Sequence, residues 1–242
     1  MKGIRRMKEY LHKIGYKRIL MSIMGNVFAG LGIAIFKLSA LGNDPYSAMT
    51  MQLAEVTGME YGNFQVLFNL GLFVIQLIFG RKLIGIGTVI NACLLGYIVT
   101  FFYRLLLLIG TPQNLVQQVL ILCPGVLICS FGLSLYQTAN LGVSPYDGLA
   151  LITQAKLPKI PYFWHRIADD TISTLVCFFA GGVLAVGASA SAVGASESLA
   201  GGMIGLGTLV AAFCFGPFIH FFNQHFSEKL VNADHRKESR NV

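Results

Sequence analysis

Long apolar runs alternate with short polar breaks along the chain. Runs of helical length cover about 19–38, 62–80, 83–109, 115–136, 161–186 and 201–222. Each is close to or above the roughly 20 residues that carry a helix across a hydrocarbon layer. Two shorter, less apolar pieces, about 45–56 and 145–155, follow the first and fourth runs. The same motif stands before each: Leu41-Gly42-Asn43-Asp44-Pro45-Tyr46 and, 100 positions later, Leu141-Gly142-Val143-Ser144-Pro145-Tyr146. Asp44 or Ser144 can accept from free backbone N–H groups as an N-cap, and Pro45 or Pro145 suits the first helical position. The glycine allows a sharp turn. The pattern predicts a spanning helix that ends at each motif and a half-length helix that dips back in.

The likeness between the halves reaches past the motif. Gly25 and Gly32 recur as Gly125 and Gly132, again 100 positions on. Ile84-Gly85-Ile86-Gly87-Thr88 recurs 120 positions on as Ile204-Gly205-Leu206-Gly207-Thr208, and Phe101-Phe102 recurs as Phe221-Phe222. The extra length falls at a Gly/Ala/Ser loop, 187–198. The unit is span, half-helix, span, span, present twice. The expected fold is therefore an all-α polytopic membrane protein of six transmembrane helices and two half-helices. Its parts are a basic lead 1–18, a first repeat 19–110, a second repeat 115–222 and a charged tail 223–242.

Charge fixes the expected topology. If the short pieces do not cross, the basic lead, Arg81-Lys82, the loop with Lys156, Lys159 and Arg166, and the tail share one side. The other side holds 43–61, 110–114 and 187–198 and carries no Lys or Arg. Only Lys37 and Arg104 of the 18 basic residues fall outside this scheme, near outer span ends where they can snorkel. The positive-inside rule then puts both termini in the cytoplasm. An odd number of spans per unit makes the second repeat inverted, a recurrent transporter design. Hydrophobic residues at 55% with charged residues at 12% exclude a soluble globule, and the net charge of +7 forms no nucleic-acid stripe. Cys93, Cys123, Cys129, Cys177 and Cys214 all lie in apolar runs and read as small buried hydrophobes. No metal or cofactor signature occurs.

Polar residues within a bilayer are costly, so each needs a reason. Gln65 and Asn69 in the second run have counterparts in Arg166 and Asp170 of the fifth, 101 positions on. Members of each pair lie four apart on one helical face, and Arg166 and Asp170 can form an ion pair. These pairs line a solute path beside the half-helices, satisfy half-helix backbone groups, or sit as an interfacial pair near the cytoplasmic rim. His165 and Asp169 read as solvated at the rim. Tyr46 and Tyr146 are belt aromatics or face the solute. Helix N-termini favour anions; with Asp44 neutralising one, an anion, if one binds, is expected at the Ser144 end, and the alternative there is a cap and a tight turn only. Asn26 and Asn91 are expected to hydrogen-bond between helices, and the repeated glycines to allow close contact.

The paired Leu-Gly-x-[Asp/Ser]-Pro-Tyr motif, the six runs and the Ile-Gly-x-Gly-Thr echo resemble the YczE/YitT-like bacterial membrane proteins, the YczE branch above all. The resemblance covers about residues 19–222. It implies a bacterial cytoplasmic-membrane protein, presumed to move something, and supplies no catalytic residues. The expected function is a secondary transporter or permease for a small solute, with Asp44, Pro45, Tyr46, Gln65, Asn69, Ser144, Pro145, Tyr146, Arg166 and Asp170 as candidate binding residues. The alternatives are a channel or a non-transporting accessory subunit. Aquaporin-like channels place the half-helix after the second span of each unit, not the first, which disfavours the channel. No nucleophile–base pair supports an enzyme. The expected partners are lipid, a small solute, a coupling ion and a second copy of the chain.

Overall fold

The computed structural model describes residues 16–187 and 205–231. Expectations for 1–15, 188–204 and 232–242, which include most of the Gly/Ala/Ser loop, lie outside the described residues. All regular structure among those residues is helical. The elements are α1 (Tyr16–Ser39), α2 (Pro45–Thr57), α3 (Tyr61–Phe79), α4 (Ile86–Leu107), α5 (Leu115–Ala139), α6 (Pro145–Lys156), α7 (Tyr162–Gly187) and α8 (Leu206–Phe222). Among the described helices, α1, α3, α4 and α5 are long and apolar enough to cross a membrane. The short helices α2 and α6 begin at Pro45 and Pro145, as expected from the motif.

Two expected boundaries move. The third apolar run does not start its helix at Leu83: Arg81–Leu83 form a 3-10 turn, Ile84 and Gly85 are extended, and α4 begins at Ile86. Nor does order end at Phe222. A π-helical turn, Asn223–Ser227, leads into helical residues 228–231, and Ser227 is buried with its hydroxyl 2.6 Å from Ser134 Oγ. Burial inverts the soluble pattern. Leu70, Ile78, Phe101, Val116, Leu120 and Phe213 face outward, while Ser22, Asn26, Gln65, Asn69, Gln76, Ser130 and Ser134 are buried. An apolar exterior around a polar interior is what a lipid solvent selects. Cys93 and Cys123 belong to that exterior, contrary to their expected burial, while Cys129 and Cys177 are buried.

Helix direction follows from which residues meet. Gly25 lies against Tyr136 and Gly132, Gly32 against Cys129, and Gly125 against Ile35, so α1 and α5 run antiparallel. The four repeated glycines line this crossing; a Cβ on Gly132 would collide with the Ala29 backbone nitrogen. Small residues permit such approach where van der Waals packing replaces the hydrophobic drive. α1 and α4 run parallel: Gly87 meets Ser22, Asn91 Nδ2 donates to Asn26 Oδ1 at 2.8 Å, and Gly30 meets Ile98. α3 and α4 run antiparallel, with Tyr97 Oη donating to Asn63 Oδ1 at 2.7 Å and Arg104 pairing with Glu60 at 2.8 Å.

The links before α2 and α6 are held by the opposite half. Leu141 O accepts from Gly87 N at 2.8 Å, Val143 N donates to Leu83 O at 3.0 Å, and Val143 O accepts from Thr88 Oγ1 at 2.8 Å. Thr88 Oγ1 also accepts from Gly85 N at 3.2 Å. The same contact occurs on the other side, where Leu41 O accepts from Gly207 N at 2.6 Å and Gly205 N donates to Thr208 Oγ1 at 3.2 Å. Thus the Gly-x-Gly-Thr segment of each half, 85–88 or 205–208, holds the Leu-Gly link of the other. Gly42 and Gly142 have φ of +102° and +109°, a region that side chains with a Cβ avoid. A Cβ on Gly142 would also stand 2.5 Å from both Gly85 N and Thr88 Oγ1.

Turned back by these links, α2 and α6 both pack between α3 and α7. Asn43 Nδ2 reaches Ile33 O at 3.4 Å, ten residues back along α1, so the first link doubles back towards the helix middle. The C-terminal ends diverge. Glu60, just past α2, pairs with Arg104 at the end of α4, whereas Lys156 of α6 lies over the Phe79 ring at the other end of the α3–α4 hairpin, 3.9 Å from its centroid. The two short helices therefore start near each other and run apart.

Gly142→Ala should lower thermal stability by about 1–3 kcal/mol from backbone strain alone, with overlap adding to it. Gly132→Ala should cost about the same through overpacking. Gly71→Ala, whose Cβ would meet nothing within 4 Å, should be neutral or stabilising. Thermal unfolding of the purified variants checks the order.

Candidate functional site

The N-terminal turns of α2 and α6 form the site. Both Asp44 carboxylate oxygens accept from Ser47 N at 3.2 Å, capping α2. In the second copy, Ser144 Oγ accepts from Asp147 N at 3.1 Å and donates to Asp147 Oδ2 at 2.7 Å. The carboxylate and the hydroxyl have exchanged places: Asp44 and Ser47 in one half, Ser144 and Asp147 in the other. Of the two alternatives for the Ser144 end, the cap is the one observed, and Asp147 puts a carboxylate on that helix end too.

Pro45 and Pro145 set the next residue of each helix, and these two meet. The Tyr46 and Tyr146 rings stack with centroids 4.3 Å apart and planes 20° from parallel. Tyr46 Oη donates to Asn69 Oδ1 at 2.7 Å, and Tyr146 Oη donates to Asp170 Oδ1 at the same distance. Ser173 Oγ lies 3.1 Å from Tyr146 Oη. Tyrosine, Asn69 and Asp170 thus sit in matching roles, one set from each half. The belt-aromatic alternative for the two tyrosines is excluded by this geometry.

Arg166 completes the second set. Its Nη1 donates to Asp147 Oδ1, its Nε donates to Asp170 Oδ2 at 3.3 Å, and its guanidinium carbon lies 4.9 Å from the Tyr146 ring centroid. The expected Arg166–Asp170 ion pair is present, widened to include Asp147. The counterpart Gln65 differs sharply: its side chain is fully buried and neither amide atom has a hydrogen-bond partner. Arg166, Asp147 and Asp170 keep 34%, 25% and 28% of their side-chain surface accessible. The cluster holds three carboxylates, Asp44, Asp147 and Asp170, against one guanidinium. It favours a positive or hydrogen-donating guest over an anion. Among the described residues, no group of His, Cys, Asp or Glu is placed to share a metal ion.

His165 departs from its expected rim position. It is buried, and its Nε2 and the Asp169 Oδ2 both lack hydrogen-bond partners. Three contributors escaped sequence reasoning: Asp147, Ser173 and Gln76. Asp147 was findable, because it stands 100 positions after Ser47 in the repeated motif. Gln76, fully buried, donates from Nε2 to Val143 O at 3.4 Å and so braces the second link. Its repeat counterpart is Cys177, so no polar echo marks it.

The chain belongs to a family of unknown function, DUF6198, whose model matches residues 16–224. It is similar to a protein of Haemophilus influenzae described as uncharacterized, at 24% identity over 208 residues, covering 86% of this chain and 84% of that one. It is also similar to the uncharacterized membrane protein YczE of Bacillus subtilis, at 25% identity over 201 residues, covering 80% and 82%. No solved structure matches. The apolar exterior, the helices of spanning length and the named relative place the chain among membrane proteins of an uncharacterised, YczE-like family.

Arg166→Gln should destabilise the protein more than Tyr146→Phe, because it leaves two carboxylates without their cation. Tyr146→Phe removes one hydrogen bond to a charged group, worth about 1.5–3 kcal/mol before discounting for partial exposure. Adding Asp147→Asn to Arg166→Gln should recover part of the loss. A double-mutant cycle read by thermal unfolding measures the coupling.

Proposed function

We propose that the protein is a secondary transporter that moves a small solute across the bacterial cytoplasmic membrane. In this reading it has six spans, with α7 and α8 as the fifth and sixth. The two halves lie inverted in the bilayer and both termini are cytoplasmic. The observation that carries the reading is the meeting of α2 and α6 through the Tyr46–Tyr146 stack, beside accessible charged groups. The antiparallel pairing of α1 with its counterpart α5 supports the inversion. The clustering of basic residues supports the orientation. Broken helices whose ends converge at mid-depth recur at transporter binding sites.

The charge surplus sets the solute class. An ammonium or guanidinium group competes with Arg166 for Asp147 and Asp170, and an aromatic face stands ready for its cation. Entry of the solute parts the two tyrosine rings, and their hydroxyls, tied to Asn69 and Asp170, hold each ring to its own half. Rocking one half against the other then carries the site between the two faces. No chemical step is required of any residue.

A thermal-shift screen of the purified protein against amines, guanidinium compounds, amino acids, vitamins and organic anions tests the reading. A cationic solute at a hundredfold excess over its Kd should stabilise by about 2.7 kcal/mol. Tyr146→Phe should fold and weaken that effect, and the same solute should show saturable uptake into vesicles. Stabilisation by organic anions alone, or flux that never saturates, would contradict it.

A further inference from the structure

The last two long helices of each half are packed differently. In the first half, α3 lies directly on α4. A Cβ on Gly62 would stand 2.8 Å from the Tyr97 ring, and a Cβ on Gly96 would stand 2.5 Å from Gln65 Oε1 and 3.1 Å from Gly62 Cα. In the second half, α7 packs against α2 and α6, and among the described residues it makes no comparable contact with α8. Gly216, the counterpart of Gly96 120 positions on, is exposed where Gly96 is buried, and a Cβ added to it would meet nothing within 4 Å. α8 is fastened elsewhere. Its start is held to the first link by Gly207 N, and the turn after its end is held to α5 by Asn223 and Thr138.

The burial of matching residues follows this difference. Gln65 and Arg166 are each the fifth residue of their helix, so distance from the helix start does not separate them. Gln65 and Asn69 are buried, with Gln65 against Gly96 and Asn69 Nδ2 reaching Ala92 O of α4 at 3.4 Å. Arg166 and Asp170 remain partly accessible. Arg166 turns to Asp147 and Asp170, and no side chain takes against Gly216 the place that Gln65 takes against Gly96. Charged groups that are partly accessible inside an apolar exterior need water beside them.

We propose that a water-filled opening between α7 and α8 leads to Asp147, Arg166 and Asp170, and that a cationic solute reaches them through it. The site is open on the side of the molecule where α7 begins. On the other side the contact of α3 with α4 at Gly62 and Gly96 shuts it. The opening itself rests on the packing of α7 and α8; what passes through it rests on the transport reading.

The test labels Gly216→Cys and Gly71→Cys in the full-length protein, reconstituted into lipid vesicles, with water-soluble methanethiosulfonate reagents and with labelling of the parent chain subtracted. Both added side chains have open space around them, so both variants should fold. Reactive thiolates form in water and not in hydrocarbon, so Gly216→Cys should react at least about tenfold faster than the lipid-facing Gly71→Cys. A trimethylammonium reagent and a sulfonate reagent are then compared at Gly216→Cys. The ratio of the cationic rate to the anionic rate should fall at least about threefold when Asp170→Asn removes a negative charge from the route. Should Asp170→Asn fail to fold, Asp147→Asn serves in its place. The proposal is overturned if Gly216→Cys is as inert as Gly71→Cys, or if the ratio is the same with and without the carboxylate. If both labelling results hold and no cationic solute stabilises the protein or enters vesicles, the transport reading alone fails and the opening stands.

Discussion

The structure depends on a reciprocal grip between backbone segments. Each long helix that opens a half, α1 or α5, ends in a Leu-Gly link whose peptide groups cannot be left bare in an apolar surround. The start of the other half's last helix supplies their partners. Leu141 and Val143 bond to Leu83, Gly87 and Thr88, and Leu41 bonds to Gly207. Because each half holds the other's break, the two short helices cannot be placed independently. Their first residues meet, and Tyr46 stacks on Tyr146 as a consequence.

On this symmetric frame sits an asymmetric set of charges. Positions related by the repeat carry Asp44 against Ser144, Ser47 against Asp147, Gln65 against Arg166 and Asn69 against Asp170. The scaffold contacts survive these exchanges because they run through glycines, backbone groups, Thr88 and Thr208. The exchanges instead redistribute charge, leaving Asp147 and Asp170 paired with Arg166 in one half and Asp44, capped by Ser47 N, in the other. The repeated motif carries the shared geometry, and the residues that differ between its copies carry the charge.

Much of this was readable from residue order. Apolar length located α1, α3, α4, α5 and α7 to within about three residues of their ends, and Asp-Pro or Ser-Pro marked the starts of α2 and α6. The 100-residue offset pointed to Tyr46 and Tyr146, whose rings stack, and the four-residue spacing of Arg166 and Asp170 foretold their contact. Other features were hidden because they depend on tertiary context. Hydropathy cannot distinguish the 3-10 turn at Leu83 and the extended Ile84–Gly85 from helix, because Leu83 O is held there by Val143 N. A charged tail reads as solvated, yet Ser227 is drawn in by Ser134. The buried positions of His165 and Gln76 arise from helix packing that a single strand of text does not carry. The charge of the Ser144 end is set by Asp147, one residue beyond the six-residue motif, so the motif alone does not fix it.

The most direct test of the arrangement is the sidedness of the short helices' far ends. Met59→Cys, just beyond α2, and Lys159→Cys, just beyond α6, are each exposed to a membrane-impermeant thiol reagent in sealed vesicles of known orientation, with labelling of the parent chain subtracted. The account predicts that one position reacts only from one face of the membrane and the other only from the opposite face. Reaction of both from the same face would contradict it.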